Sequence, residues 1–217
     1  MKIVLATRNM GKVKEIKEIL RGLDLDMLSL NDFPKVPSII EDGKTFKENA
    51  LKKARFVSRY LNIPALADDS GIEVDALDKR PGILSARYAG ENAADEENNK
   101  KLLLELKDIP LEKRCAHYKC VIAIVFPSGE EETVDGNCNG FIALEPKGKG
   151  GFGYDPLFYV PEYGKAMAEL PPDIKNRISH RGKALAKLKE KLTTILLSFM
   201  PSSQHLKKSY PSGNRGI

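Results

Sequence analysis

Apolar positions change period several times along the chain, and each change marks an element. Lys2 to Ala6 is a short β-rich apolar run and predicts a buried first strand. After the polar segment Thr7-Arg8-Asn9-Met10-Gly11-Lys12, Val13, Ile16, Ile19 and Leu20 recur at helical spacing, so strand, polar turn and helix follow one another directly. Leu25 to Leu30 predicts a second strand, interrupted downstream by Pro34 and Pro37. Thr45-Phe46-Lys47-Glu48 has the form of a capping box, and the helix it opens carries Leu51, Ala54, Val57 and Leu61 on one stripe. Ile63 to Leu66 is apolar again, and Ala67-Asp68-Asp69-Ser70-Gly71 then reads as a strand end breaking into a turn.

Ile72 to Leu77 alternates at period two, as a half-buried strand does, before the turn Arg80-Pro81-Gly82. Asp95 is placed to cap a helix built on Leu102, Leu103 and Leu106. The run Cys120 to Phe126 is continuously apolar and predicts a strand buried on both faces. Pro127 to Glu130 is a hairpin turn, and Glu132 to Asn139 returns with alternation. Pro171-Pro172 opens another turn ahead of a last helix marked by Leu185, Leu188, Leu192, Ile195 and Leu196. Hairpin plus βα units predicts an α/β fold with a mixed sheet and flanking helices.

The 217 residues suffice for a sizeable core, and 41% hydrophobic with 30% charged is an ordinary globular composition. The net charge of +5 narrows toward neutrality once Lys207, Lys208 and Arg215 of the tail are set aside, which argues against a nucleic-acid footprint. No apolar run reaches the ~20 residues of a membrane span. The opening run is too short for a signal peptide, and Cys115, Cys120 and Cys138 lack metal-ligand spacing, so a cytoplasmic protein with reduced thiols is expected. Residues 198–217, basic and poor in apolar side chains, are expected to be a disordered tail behind a domain spanning 1–197.

Four segments could carry chemistry. Asp68 and Asp69 are suited to a hard cation such as Mg²⁺, or to an Asx-turn in which the same side chains satisfy local amides. At Thr7 to Lys12, Asn9 is a candidate N-cap, and a helix start beside the Lys12 ammonium attracts anions or is simply a structural βα turn. Lys147-Gly148-Lys149-Gly150-Gly151-Phe152-Gly153-Tyr154-Asp155 combines glycines and lysines with aromatic faces, a composition that can cradle phosphate beside a base. His180 and Arg181 stand at a helix start, where their charge is unfavourable unless an electron-rich ligand compensates. Glu41, in a loop, is a candidate metal ligand.

In this order and at these intervals, Thr7-x-Asn9-x-Gly11-Lys12, Asp68-Asp69-Ser70-Gly71, Gly150-Gly151-Phe152-Gly153-Tyr154-Asp155 and Ser179-His180-Arg181 resemble the non-canonical purine nucleoside triphosphate pyrophosphatases, the Ham1-like family. Glu41-x-Gly43-x-Thr45-Phe46-x-Glu48-Asn49-Ala50 and Pro81-Gly82-x-x-Ser85-Ala86-Arg87-Tyr88 match the same pattern. The resemblance implies two lobes around a nucleotide cleft, a homodimer, and Mg²⁺-dependent hydrolysis of ITP, dITP and XTP to monophosphate and pyrophosphate. It also implies that Thr7, Arg8, Asn9, Met10, Gly11 and Lys12 line the triphosphate, with no individual role for Arg8. Glu41 and Asp69 would hold the metal with Asp68 close by, Asp69 would be the general base, and Ser70 would touch substrate. Lys53 and Lys175 would add cationic contacts, and Phe152, Gly153, Tyr154, Asp155, His180 and Arg181 would form the base pocket. A pyrophosphatase of broader specificity and a non-catalytic nucleotide-binding protein are the competing readings.

Overall fold

The computed structural model describes residues 1–198, with side chains through residue 193. The tail expected over 198–217 therefore lies, from residue 199, outside the described residues. In chain order the elements are β1 (Lys2–Leu5), α1 (Met10–Ile19), β2 (Asp26–Ser29), α2 (Phe46–Leu61), β3 (Ala65–Val74), α3 (Asp95–Glu105), β4 (Cys115–Val125), β5 (Glu131–Ile142), β6 (Phe158–Val160), β7 (Lys165–Ala166), α4 (Pro172–Ile178) and α5 (His180–Ser198). One seven-stranded sheet runs in the order β2-β1-β3-β4-β5-β6-β7. β1 is parallel to β2 and β3, and every other pairing is antiparallel.

Strand alternation distributes the core. Ile3, Leu5, Leu66, Ile122 and Ile124 face α1 and α5, where they meet Val13, Ile16, Leu185 and Leu188. Val4, Ala65, Ala67, Ala123 and Val125 face the other way, against Ala50, Ala54 and Val57 of α2. A third cluster, with Ile72, Val74, Leu102, Tyr118 and Phe158, forms a second lobe around the far ends of β3 to β5. β3 and β4 run through both lobes.

The expected turn at Asp68 to Gly71 is instead the middle of β3, paired residue by residue with β4 from Ala65↔Val125 to Val74↔Ala116. Asp and Gly weaken strand propensity locally, but here the tertiary pairing overrides it. Ile72 to Val74 continues that strand rather than beginning another, and Asp75–Leu77 is a short 3₁₀ turn. The segment after Pro171 forms α4, with proline at its first position, where a missing N–H costs nothing. The capping expected at Thr45 is present, its hydroxyl accepting from Glu48 N at 3.1 Å, while Glu48 reaches back one residue further, to Lys44 N at 2.7 Å.

The junction of the lobes is where the sheet lacks a strand. β1 pairs only with Ala65 and Leu66 of β3, so the following residues have no strand on that side among those described. At Ile72 the edge is covered again, its N–H donating to Ser85 Oγ at 2.9 Å. The gap between is where the acidic pair lies. On the far side, α5 rests on Gly136 of β5, where an added Cβ would overlap His180 O and stand 2.6 Å from Ala184 N. Backbone cannot give way as a flexible side chain can, so Gly136→Ala is expected to lose about 1–3 kcal/mol by overpacking. Denaturant unfolding measures this as a lowered midpoint at unchanged slope, and a wild-type midpoint would contradict so close a seat for α5.

Candidate active site

The pleat of β3 sends adjacent side chains to opposite faces, and Asp68 and Asp69 acquire different surroundings from that alone. Asp68 points toward α1 and α5. Lys12 Nζ lies 2.6 Å from its Oδ1. Arg181 Nε donates to its Oδ2 at 2.9 Å and Arg181 Nη2 to its Oδ1 at 3.3 Å. Ser70 Oγ and Cys120 Sγ add donors at 2.9 and 3.0 Å. Burial opposes its charge, but Arg181 and Lys12 prevail and hold the carboxyl well below the usual range. The Cys120 thiol, buried against that carboxylate, is pushed well above its ordinary value and stays protonated.

Asp69 points toward α2. Lys53 Nζ donates to Asp69 Oδ1 at 3.0 Å, to Glu41 Oε1 at 2.9 Å and to Asp68 O at 2.9 Å. Asp69 Oδ2 is buried without a hydrogen-bond partner. Burial raises the Asp69 pKa and nearby Glu41 adds to the rise, against the pull of Lys53. Burial also works against the charge of Glu41, yet Lys53 outweighs it and lowers that group. The Glu41 loop is pinned from two sides: Arg87 Nη2 donates to Glu41 O at 2.9 Å, and Gly43 N donates to Asn49 Oδ1 at 2.8 Å.

At the start of α1, Asn9 Oδ1 accepts from Lys12 N at 3.1 Å. Arg8 donates to Leu30 O at 2.7 Å and Val36 O at 2.8 Å, and so straps the 30–36 segment to this turn. Met10 is exposed, its sulfur accepting from Asn31 Nδ2. A Cβ on Gly11 would be 2.6 Å from Phe152 Cδ1, so the missing side chain is what lets the aromatic ring lie on this helix start.

The glycine–aromatic loop packs largely against its own chain. Gly150 N donates to Ala168 O at 3.0 Å, Phe152 N to Asp155 Oδ2 at 2.9 Å, and Gly153 N to Asp95 Oδ2 at 2.6 Å. Tyr154 OH donates to Ser85 O at 2.9 Å. Lys175 is ion-paired with Asp155 and, at 2.7 Å, with Glu15. Phe152 carries Lys175 Nζ 4.8 Å and Arg181 Cζ 5.4 Å from its ring centre. Burial raises the Asp155 pKa against the opposing pull of Lys175. His180 stacks on Tyr118, with ring centres 4.4 Å apart and an interplanar angle of 8°. Its Nδ1 is buried without a partner. Burial, then Arg181, drives the imidazole pKa well below 6.5, so His180 is neutral.

Two hollows that share Asn9, Lys12, Ser70 and Ala86 result. One of about 330 Å³ is lined by Thr7, Arg8, Asn9, Lys12, Glu41, Lys53, Asp68, Asp69 and Ser70. The other, about 100 Å³, is lined by Asn9, Lys12, Ser70, Phe152, Gly153, Tyr154, Asp155, Lys175, His180 and Arg181. Met10 and Gly11 line neither. A larger groove of about 800 Å³ beside Leu111, Phe141, Leu144 and Tyr159 is mainly apolar and far simpler in chemistry.

The charge on the α5 start finds its compensation within the chain. Arg181 bonds Asp68, Ser70 and, through Nη1 at 2.6 Å, Glu15. Glu15, Tyr118 and Cys120 belong to this network and escape a reading of motifs, whereas Arg87, part of a matching motif, and Asp95, read as a helix cap, bond Glu41 O and Gly153 N. Glu15 has the helical spacing of a solvated charge. For Tyr118 and Cys120 the only signal is strand register, which sets Cys120 opposite Ser70.

An α/β protein whose cleft gathers lysines, buried carboxylates and an aromatic pocket belongs to the class that handles phosphorylated ligands. The chain belongs to the Ham1 family, whose model matches residues 3–191. It is 57% identical over 191 residues to a dITP/XTP pyrophosphatase of Geobacter sulfurreducens, covering 88% of this chain and 96% of that one. It is 53% identical over 192 residues to a dITP/XTP pyrophosphatase of Bacillus cereus, covering 88% and 94%. The solved HAM1 protein of Coxiella burnetii superposes with a TM-score of 0.81 at 45% identity, covering 89% of this chain and 99% of that one. Among the described residues, no helix is long and apolar enough to cross a membrane.

His180 gives a stability prediction with a definite sign. In the unfolded chain it takes up a proton near pH 6.5, while in the folded protein it resists protonation. Its contribution is therefore neutral above pH 6.5 and destabilising as pH falls below it, approaching about 1.4 kcal/mol per pH unit. His180→Phe, which preserves a ring on Tyr118, is expected to flatten the fall in unfolding free energy between pH 7 and 5.5. Equal slopes for the two proteins would show that the imidazole is not held neutral.

Proposed function

We infer that the protein is a hydrolase that cleaves deaminated purine nucleoside triphosphates (dITP, XTP and ITP) to the monophosphate and pyrophosphate, clearing them from nucleotide pools. The observation that carries this reading is the division of the acidic pair, one carboxylate locked by cations and the other left with a free buried oxygen beside Glu41. Residues 1–197 are proposed as the catalytic unit, acting in the cytoplasm as a homodimer.

The triphosphate, with about four negative charges, is placed in the larger hollow, where Lys12, Lys53 and the N–H groups at the start of α1 neutralise it. Thr7 and Asn9 shape that wall, and Arg8 holds its outer strap. The reaction class implies a divalent metal, and we propose Mg²⁺, which commonly takes one or two carboxylates and completes its sphere with phosphate and water. The donors present fit it, because Glu41 and Asp69 are hard oxygen donors and Asp69 Oδ2 is unclaimed. Asp68 commits both its oxygens elsewhere, and among the described residues no three His, Cys, Asp or Glu side chains gather as a metal cluster. Its proposed contribution to the metal site is thus support from behind the strand. When bound, the ion would neutralise phosphate charge and polarise the attacked phosphorus.

Asp69 is the proposed base for the attacking water. Its Oδ2, buried and without a partner, can accept a hydrogen bond from that water, a role typically worth ~10²–10⁴-fold. Ser70, between Asp68 and the cleft, is the proposed substrate contact. In the smaller hollow Phe152 offers a face to the base, with Gly153, Tyr154 and Asp155 behind it, and Lys175 beneath the ring. Arg181 makes four hydrogen bonds to Asp68, Ser70 and Glu15, which leaves neutral His180 as the freer donor toward O6 of hypoxanthine or xanthine. Adenine presents an amino donor there, and a buried donor–donor mismatch can discriminate by ~10⁴-fold.

A substrate panel tests the reading. With Mg²⁺, kcat/KM for dITP, XTP and ITP is expected to exceed that for ATP by about 10²–10⁴, with pyrophosphate as the second product. Equal values for ATP and ITP would overturn the selectivity, and orthophosphate release would overturn the bond assignment.

A further inference from the structure

Lys53 is placed where a cation joining Glu41 to Asp69 would have to sit. Its nitrogen is 2.9 Å from Glu41 Oε1 and 3.0 Å from Asp69 Oδ1, and its third hydrogen bond, to Asp68 O, is 2.9 Å long. An ammonium has three protons, so these contacts saturate it. Lys53 is buried at 6% exposure and Asp69 at 5%, so water screens their pairing little, while the Glu41 side chain is 30% exposed. The ammonium is ion-paired with both carboxylates. Lys12, which with Lys53 lines the larger hollow, is differently committed, lying 2.6 Å from Asp68 Oδ1 on the opposite face of β3.

We propose that Lys53 is a built-in counter-cation that keeps divalent metal off the Glu41–Asp69 pair in the free protein and gives up its place when triphosphate arrives. This rests on Glu41 and Asp69 being the metal carboxylates. Two positive centres cannot share the space between the same two oxygens, because their repulsion in a poorly screened site is large. In the free protein Lys53 therefore occupies one oxygen of each carboxylate, Glu41 Oε1 and Asp69 Oδ1, so an incoming ion cannot chelate the pair through them. A triphosphate supplies new partners for the ammonium, and the flexible four-carbon stem of lysine lets it turn to them. Glu41 and Asp69 are then released to the metal that travels with the nucleotide. Lys53 is a positioning residue in this scheme: it sets the order of assembly, so that a metal-loaded carboxylate pair does not form without substrate.

Mn²⁺ binding to the full chain without nucleotide, followed by the electron paramagnetic resonance of free Mn²⁺, tests this with no readout of activity. Lys53→Met is expected to bind Mn²⁺ at least tenfold more tightly than wild type, and to gain more in unfolding midpoint on Mn²⁺ addition. Lys12→Met, which removes equal charge from the other face, is expected to change the affinity less than threefold. If Lys53→Met does not fold, Lys53→Gln replaces it with the same expectation. Equal affinity in wild type and the Lys53 variants would overturn the proposal, as would equal tightening by Lys12→Met. The double variant Lys53→Met/Asp69→Asn is expected to lose the gained site. Tight binding that survives in it would instead overturn the assignment of Asp69 as a metal carboxylate, a failure distinct from that of the exchange.

Discussion

The site depends on the pleat of one strand. Adjacent carboxylates in a turn would share solvent and partners, and would repel each other to a common fate. In β3 they leave the backbone on opposite sides. One meets Arg181, Lys12, Ser70 and Cys120, the other Lys53 and the Glu41 loop. Antiparallel pairing with β4 fixes that register along the whole of β3, and a slip of one residue would exchange the two environments. Because β1 stops against Leu66, the same stretch is also reachable at its edge. Asp68 thus becomes a counter-ion that organises α1 and α5, and Asp69 keeps the unmet valence that chemistry needs.

Around this strand, charges pair in two separate groups. On one side Lys12, Lys175 and Arg181 face Asp68, Glu15 and Asp155. On the other, Lys53 faces Glu41 and Asp69. Buried ions are tolerable only when paired and hydrogen-bonded, so each member constrains the others. That constraint lets His180 sit neutral beside Arg181 and leaves Phe152 free to lie between the helix start and the cations. The base pocket and the phosphate hollow are two ends of one network, joined by Lys12, Ser70 and Asn9.

Much of the fold was legible because the apolar period is strong where the elements are long: α2 stands where the pattern puts it, and β4 and β5 contain the runs the pattern marks but extend beyond them, β4 back to Cys115 and β5 on to Ile142. The pattern misleads where polar residues sit inside a strand. Asp68-Asp69-Ser70-Gly71 has turn composition, and only pairing with β4 makes it extended. The short β6 and β7 and the single-lobe helix α4 carry too few residues for a period to declare itself. The site residues came from motifs, which report individual side chains but not their partners. Glu15, Tyr118 and Cys120 enter through three-dimensional proximity across helices and strands, a relation that local spacing does not encode. Arg8 lines the larger hollow where its motif position puts it, but the motif does not report that its guanidinium grips the carbonyls of Leu30 and Val36.

The unequal division of the acidic pair is the central claim, and parallel measurement of stability and turnover in Asp68→Asn and Asp69→Asn tests it directly. Asp68→Asn leaves Arg181 and Lys12 without their buried countercharge and is expected to lose about 3–5 kcal/mol of unfolding free energy. Asp69→Asn is expected to unfold within about 1 kcal/mol of wild type, since burial already disfavours that charge, while turnover falls by at least ~10²-fold. An Asp68→Asn protein as stable as wild type, or an Asp69→Asn protein that still turns over at the wild-type rate, would contradict the account.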